Sequence, residues 1–191
     1  MNIKQLFRRL KEKARDRRGF TLGETMAATV ILLLLSGAMA TGVALATSQF
    51  GKSMVRSESK VLYSTLQNVV KNELANTKTV VLGSSNADGS YQVTQFFSQN
   101  YAAHDSLSHF VILPEGSEYG ELALGSDTET NKLLSSSAYT YGLGASVEVG
   151  YFRTAGYFRV NLTIWSQDGD RLISEPFDVI PLNNVEIASD G

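Results

Sequence analysis

Apolar and polar residues follow three successive patterns along this chain. From Thr25 to Gly51, 27 consecutive residues include no Asp, Glu, Lys or Arg, and the run contains Val30-Ile31-Leu32-Leu33-Leu34-Leu35. About 20 apolar residues suffice to cross a bilayer as a helix, so this stretch predicts a membrane-length helix. Beyond Lys52 the apolar positions thin to a stripe, Leu62, Leu66, Val69, Val70 and Leu74, whose spacing keeps them on one helical face; Lys60, Gln67, Lys71 and Asn72 fall mainly off it. No proline occurs before Pro114. The pattern therefore predicts one continuous helix from about Phe20 to about Thr77, roughly 85 Å long at 1.5 Å per residue.

The third pattern begins after Gly83-Ser84-Ser85-Asn86-Ala87-Asp88-Gly89-Ser90, a cluster of turn-forming residues. Tyr91 to Phe97 and Phe110 to Leu113 read as strands, with Gly120 to Leu124 a further candidate; Ser126 to Ser137 is polar and reads as a loop with room for a helical turn. Period-two alternation is clearest in the last third. Ala145, Val147, Val149 and Tyr151 share one face, as do Phe158, Val160, Leu162 and Ile164. Arg153-Thr154-Ala155-Gly156 should turn between these strands. Asp168-Gly169 is a pair favoured in tight hairpins and should lead into a third strand from about Arg171 to Ile180. Pro176 cannot donate to a ladder, which predicts that this strand lies at an edge or bulges there.

The expected fold class is α+β: a long N-terminal helix packed on a C-terminal antiparallel sheet. The segments are a basic leader at 1–19, a transmembrane helix at 20–52, its amphipathic continuation at 53–82 and a β-rich head at 83–191.

Charge sharpens this division. Residues 1–18 hold eight Lys/Arg and two Asp/Glu, leaving nine basic and 17 acidic residues in the rest, a net of −8. Basic residues flanking the start of a span favour a cytoplasmic location for that end, which puts everything after Lys52 outside. An acidic head is a poor match for nucleic acid, whose nonspecific binding depends on Lys and Arg neutralising phosphates. The chain has no cysteine, which excludes disulfides, thiolate metal sites and cysteine nucleophiles. Within the span, Gly37 and Gly42 with Ser36, Ala38, Ala40, Thr41, Ala44 and Ala46 make a small-residue surface that lets helices approach closely in an apolar medium.

One carboxylate, Glu24, stands immediately before the uncharged run. A charged side chain within a spanning helix costs about 2.5–3.5 kcal/mol on insertion scales, so one that is kept is expected to meet a partner. The order Arg17-Arg18-Gly19-Phe20-Thr21-Leu22-Gly23-Glu24, followed by the apolar helix, resembles the processing signal of the type IV pilins and pseudopilins. The resemblance covers about 30 of the 191 residues. It implies that a membrane-embedded prepilin peptidase cuts after Gly19 and that Phe20, the new N-terminus, is N-methylated. It also implies that Glu24 pairs with the N-terminal amine of a neighbouring subunit during assembly. That amine, with a pKa of about 7.7–8.0, would be cationic, and methylation keeps the charge. The family's C-terminal disulfide, frequent in Gram-negative pilins, is impossible here, so the likeness leans towards Gram-positive minor pilin-like subunits or pseudopilins. Where many major pilins have a helix-breaking proline in the span, this chain has Thr41.

A secretory signal peptide is the competing reading of the N-terminus, with Ala44-Leu45-Ala46 as an A-x-A site and a mature chain starting at Thr47. Its apolar core would usually be about 7–15 residues, shorter than this run.

Other chemistry is thin. His104 and His109 lie in a polar segment and would need metal ligands from elsewhere. Asp127 and Glu129 lack the central glycine and distal glutamate of a calcium loop. Gly142-Leu143-Gly144 leads into a strand pattern, where a dinucleotide fingerprint requires a helix. Asn161-Leu162-Thr163 matches a glycosylation acceptor in mid-strand. Trp165, Tyr151, Tyr157 and Phe152 are candidates for an aromatic ligand surface, although aromatics at strand spacing usually form core or cross-strand pairs. No nucleophile with a matched base can be assembled, so neither an enzyme nor a cofactor is expected. The resulting expectation is a minor pilin or pseudopilin of a type IV pilus or type II secretion-like filament, with prepilin peptidase, other subunits and the cytoplasmic membrane as partners. The alternatives are a membrane-anchored adhesin or a component of a DNA-uptake pseudopilus.

Overall fold

The computed structural model describes residues 21–101, 106–126 and 129–188. One helix, α1 (Leu22–Ala75), runs for 54 residues. It is succeeded by nine strands: β1 (Thr77–Ser85), β2 (Tyr91–Ser98), β3 (His109–Leu113), β4 (Glu121–Gly125), β5 (Thr130–Lys132), β6 (Gly144–Phe152), β7 (Tyr157–Trp165), β8 (Arg171–Val179) and β9 (Glu186–Ala188). The fold is α+β. The chain divides between Gly51 and Lys52 into two compact units. In the first, residues 22–51 of α1 are exposed throughout.

In the second unit, six strands form one sheet in the order β8-β7-β6-β2-β1-β9, and β3-β4-β5 form a small second sheet. Every pairing is antiparallel except that of β1 with β9. The second half of α1 packs on these strands through Leu62, Tyr63, Leu66, Val70 and Leu74. Towards Lys52, Leu62, Tyr63 and Leu66 meet Leu122, Leu143, Ala145, Leu162 and Ile164. Further along, Val70 and Leu74 meet Phe96, Val149, Tyr151, Phe158 and Val160. The apolar stripe and the alternating strands thus bury the faces their periods predict. Tyr63 joins the stripe at a spacing of three before Leu66, and its hydroxyl donates to the Glu175 carbonyl at 2.9 Å. Val69 is only half-buried.

The helix ends earlier than its expected limits of Thr77 or residue 82. Residues 77–82 belong to β1, where Thr77, Thr79, Val80 and Val81 favour a pleated backbone. Terminal carbonyls, which have no intrahelical donor, find others: the Asn76 amide donates to Asn72 O at 2.9 Å, the Thr77 hydroxyl to Glu73 O at 3.2 Å and the Leu182 N–H to Ala75 O at 2.7 Å. Two of those donors come from the residues immediately after the helix, and the third comes from the C-terminal segment. The turn expected over Gly83 to Ser90 narrows to residues 86–90. The polar stretch Ser126 to Ser137 contains β5 as well as a 3-10 turn at Ser136–Ala138. The Lys132 ammonium lies 2.6 Å from the Glu121 carboxylate. Pro176 does lie on the edge strand β8.

Candidate functional site

Three places in the described residues carry features that a packed core alone does not require: the start of α1, a groove in the large sheet, and the aromatic end of the head nearest Lys52.

At the start of α1, Thr21 is the N-cap and Glu24 the third helical residue. The Thr21 N–H donates to Glu24 Oε2 at 2.9 Å and the Thr21 hydroxyl donates to the same oxygen at 3.1 Å, while the Glu24 N–H returns to Thr21 Oγ1 at 3.3 Å. This reciprocal arrangement is a capping box. It supplies a local reason for a carboxylate here that the expectation of an intermolecular partner did not include. A negative charge in the first turn also complements the helix dipole. Gly19 and Phe20, the expected cleavage and methylation positions, lie outside the described residues.

Further along, four hydroxyls within the uncharged run bond to carbonyls of the helix itself. Thr29 donates to Thr25 O at 2.8 Å, Ser36 to Leu32 O at 2.7 Å, Thr41 to Ala38 O at 2.9 Å and Thr47 to Val43 O at 2.9 Å. In hydrocarbon no water replaces a missing acceptor, so this bonding makes four polar residues compatible with an apolar surrounding. The helix is continuous through Gly37 and Gly42.

The groove arises because β2 and β6 pair only at Tyr91 with Tyr151 and Gln92 with Gly150. Beyond that point β2 bridges to Ser108 and β6 to Gly120, so the two strands part. The space between is about 720 Å³ and has Phe96, Phe110 and Val149 among its lining. Polar groups at its margin include Asp88, Glu148, Arg159 and Asn161. Asp88 accepts from the Ser90 hydroxyl at 2.7 Å and the Ser90 N–H at 3.0 Å, and these bonds hold its carboxyl below the ordinary carboxylate range. Arg159 is committed elsewhere: it makes two hydrogen bonds to Asp178, at 2.9 and 3.1 Å, and its guanidinium lies 5.2 Å from the Phe152 ring centroid. Its bond to Asp178 lowers that carboxyl's pKa.

The four aromatics that were candidates for one ligand surface are divided, and three of them form the core and cross-strand pairs usual at strand spacing. Tyr151 packs on Phe158 in the core at 4.9 Å. Phe152 and Tyr157 stack at 4.8 Å at the β6–β7 turn. Trp165 lies at the opposite end of β7, stacked on Tyr119 at 5.2 Å, its indole N–H donating to Ser146 Oγ at 2.9 Å. Period-two spacing puts neighbours on opposite faces, and a nine-residue strand separates Tyr157 from Trp165. The sequence did not single out Tyr119 or Tyr141, which join this end only through tertiary contact.

His109 lines the groove, while His104 and Asp127 lie outside the described residues; Glu129 accepts at its main-chain carbonyl from the Ser126 N–H at 2.8 Å. Gly142-Leu143-Gly144 is a turn into β6, with Gly142 at φ 68°. Asn161 is exposed on β7. Among the described residues no group of three or more His, Asp or Glu is placed to hold a metal ion. No family model, curated protein or solved structure matches this chain.

Proposed function

We propose that this chain is a pilin-like subunit, a minor pilin or pseudopilin, of a type IV pilus or type II secretion-like filament. The observation that carries the reading is α1 itself: one helix whose first half is an exposed, uncharged apolar run of membrane length and whose second half packs on an antiparallel sheet. The Gly19-Phe20-Thr21-Leu22-Gly23-Glu24 order at its start supports the same reading. On it, the subunit waits in the cytoplasmic membrane with its N-terminus inside and its head outside. Prepilin peptidase then cuts after Gly19, Phe20 is methylated, and the helix enters a filament with Glu24 facing the new N-terminus of a neighbour. Thr21 already occupies Glu24 Oε2, which leaves the other carboxylate oxygen for that ammonium.

N-terminal sequencing of the chain from cells with an active pilus or secretion apparatus tests this directly. A mature chain beginning at methylated Phe20 is the expected result. A start at Thr47, or retention of residues 1–19, overturns it. A second reading, a membrane-anchored binding module, is favoured by the β2–β6 groove; recovery of the protein with cells or glycans but never with sheared filaments would select it.

A further inference from the structure

Tyr141 is the only described non-glycine residue with a positive φ, 57°, and its ring is 52% exposed. Left-handed backbone disfavours a residue of this size, and Asn or Asp is the usual choice where glycine is absent. The strain is not repaid by burial of the ring in the core. Such an outlier directs attention to what the side chain does outside the fold.

Its location is informative. The Tyr141 hydroxyl reaches Met54 Sδ at 2.9 Å, and Met54 is two residues beyond Lys52, the first charge after the apolar run. Tyr141 therefore meets the helix only three residues beyond Gly51, the last residue of the apolar run. The same end of the head gathers other aromatics. Gly142 lies against Gln167 of the β7–β8 turn, Tyr119 lies under Gly144 and reaches Gly169, and Tyr119 stacks on Trp165. The Arg171 guanidinium lies 5.4 Å from the Trp165 ring centroid. Tyr and Trp concentrate at membrane–water interfaces because their apolar rings and polar tips suit the headgroup level, and Arg and Lys place their heads there too.

We infer that the Tyr141–Tyr119–Trp165 end of the head rests on the lipid interface while the subunit is held in the membrane. This rests on the reading of residues 25–51 as a span. The flanking charges are of both signs, Lys52, Arg56 and Arg171 against Glu118, Asp168 and Asp170, so the surface suits a zwitterionic bilayer, with aromatic partition as the main attraction. The contact keeps this end of an unassembled subunit's head against the bilayer surface.

Trp165 is the chain's single tryptophan, so its fluorescence reports on this end alone. The full chain is reconstituted in phosphatidylcholine vesicles with and without lipid brominated near the headgroup end of the acyl chain, and retention on the vesicles at alkaline carbonate is scored in parallel. The expected result is retention with quenching of Trp165 that is stronger for shallow than for deep bromines. Tyr141→Asn, which suits the left-handed backbone and so leaves the head folded, should lose part of that quenching. Retained chains with unquenched Trp165, or quenching unchanged in Tyr141→Asn, overturn the interfacial contact while leaving the span intact. Chains released by carbonate overturn both.

Discussion

Thr21 and Glu24 cap each other at the start of α1: one carboxylate oxygen accepts both the main-chain N–H and the hydroxyl of Thr21, and the Glu24 N–H points back at that hydroxyl. The box binds the first turn to residues adjoining the expected processing point. Thr21→Val keeps the β-branched shape and the main-chain donor but removes the hydroxyl. Loss of an N-cap side chain costs about 0.5–2 kcal/mol. Hydrogen exchange in detergent micelles should therefore show faster exchange for the first-turn amides, with amides beyond Lys52 unchanged. Equal protection in the variant would mean that the hydroxyl contributes nothing to the cap.

On the proposed filament role, Glu24→Ala should impair assembly without impairing insertion. Removing one member of a buried charge pair costs about 3–5 kcal/mol, enough to reduce incorporation by more than about tenfold. Membrane fractionation and the yield of sheared filaments separate the two steps. Normal filaments from the variant would leave Glu24 with its capping role alone.

Leu66 is fully buried between the helix and the sheet. Truncation of such a residue costs about 2–5 kcal/mol, the spread reflecting how far the cavity collapses. Leu66→Ala should lower the thermal midpoint of the full chain in detergent by several degrees, followed by near-ultraviolet circular dichroism. Val61, on the same segment of helix but 59% exposed, provides the comparison, and Val61→Ala should change stability by no more than about 0.5 kcal/mol. Equal effects at the two positions would contradict the packing of α1 on the sheet.

Glu73 faces the head from the last turns of α1, and its Oε2 is buried without a hydrogen-bond partner. Burial pushes its pKa above the ordinary value of 4.5, against a smaller opposing effect from the Ser98 hydroxyl. Folding thus favours the protonated form. The associated stability is fully present below the ordinary value and is lost as pH rises through the raised one. Glu73→Gln removes that loss. The denaturant midpoint of the variant relative to the parent should be higher at about pH 8 than at about pH 4. Asp178 and Glu121, whose carboxyls are lowered by Arg159 and Lys132, have the opposite dependence and lose their contribution as pH falls. Because both proteins share them, the difference between variant and parent isolates Glu73.

The elements easiest to read in the sequence were those whose burial repeats at a fixed period. Leu62, Leu66, Val70 and Leu74 face the sheet because four-residue steps return to nearly the same side of a helix. Phe158, Val160, Leu162 and Ile164 face the helix because alternate residues share one side of a strand. β1 escaped this reading. Its apolar core, Val80-Val81-Leu82, is short, comes directly after the amphipathic helix and carries register shifts against β2, so helical and extended patterns overlap there. β9 escaped because three residues give no period; it exists through its parallel pairing with β1. The groove depends on where β2 and β6 stop pairing, a property of two strands some fifty residues apart. The Thr21–Glu24 box, by contrast, stood in plain sequence as a threonine three residues before a glutamate.

By itself, then, the order of residues determined the uncharged span, the acidic composition of the chain beyond it, the helical stripe and the β6–β8 meander, because each depends on local periodicity or on charge counted along the chain. Only the tertiary structure decided where α1 ends, how β2 and β6 part, and which aromatics stand beside Met54. Those outcomes rest on contacts between distant segments, such as Ala75 with Leu182 and Met54 with Tyr141, whose geometry no local repeat along the chain encodes.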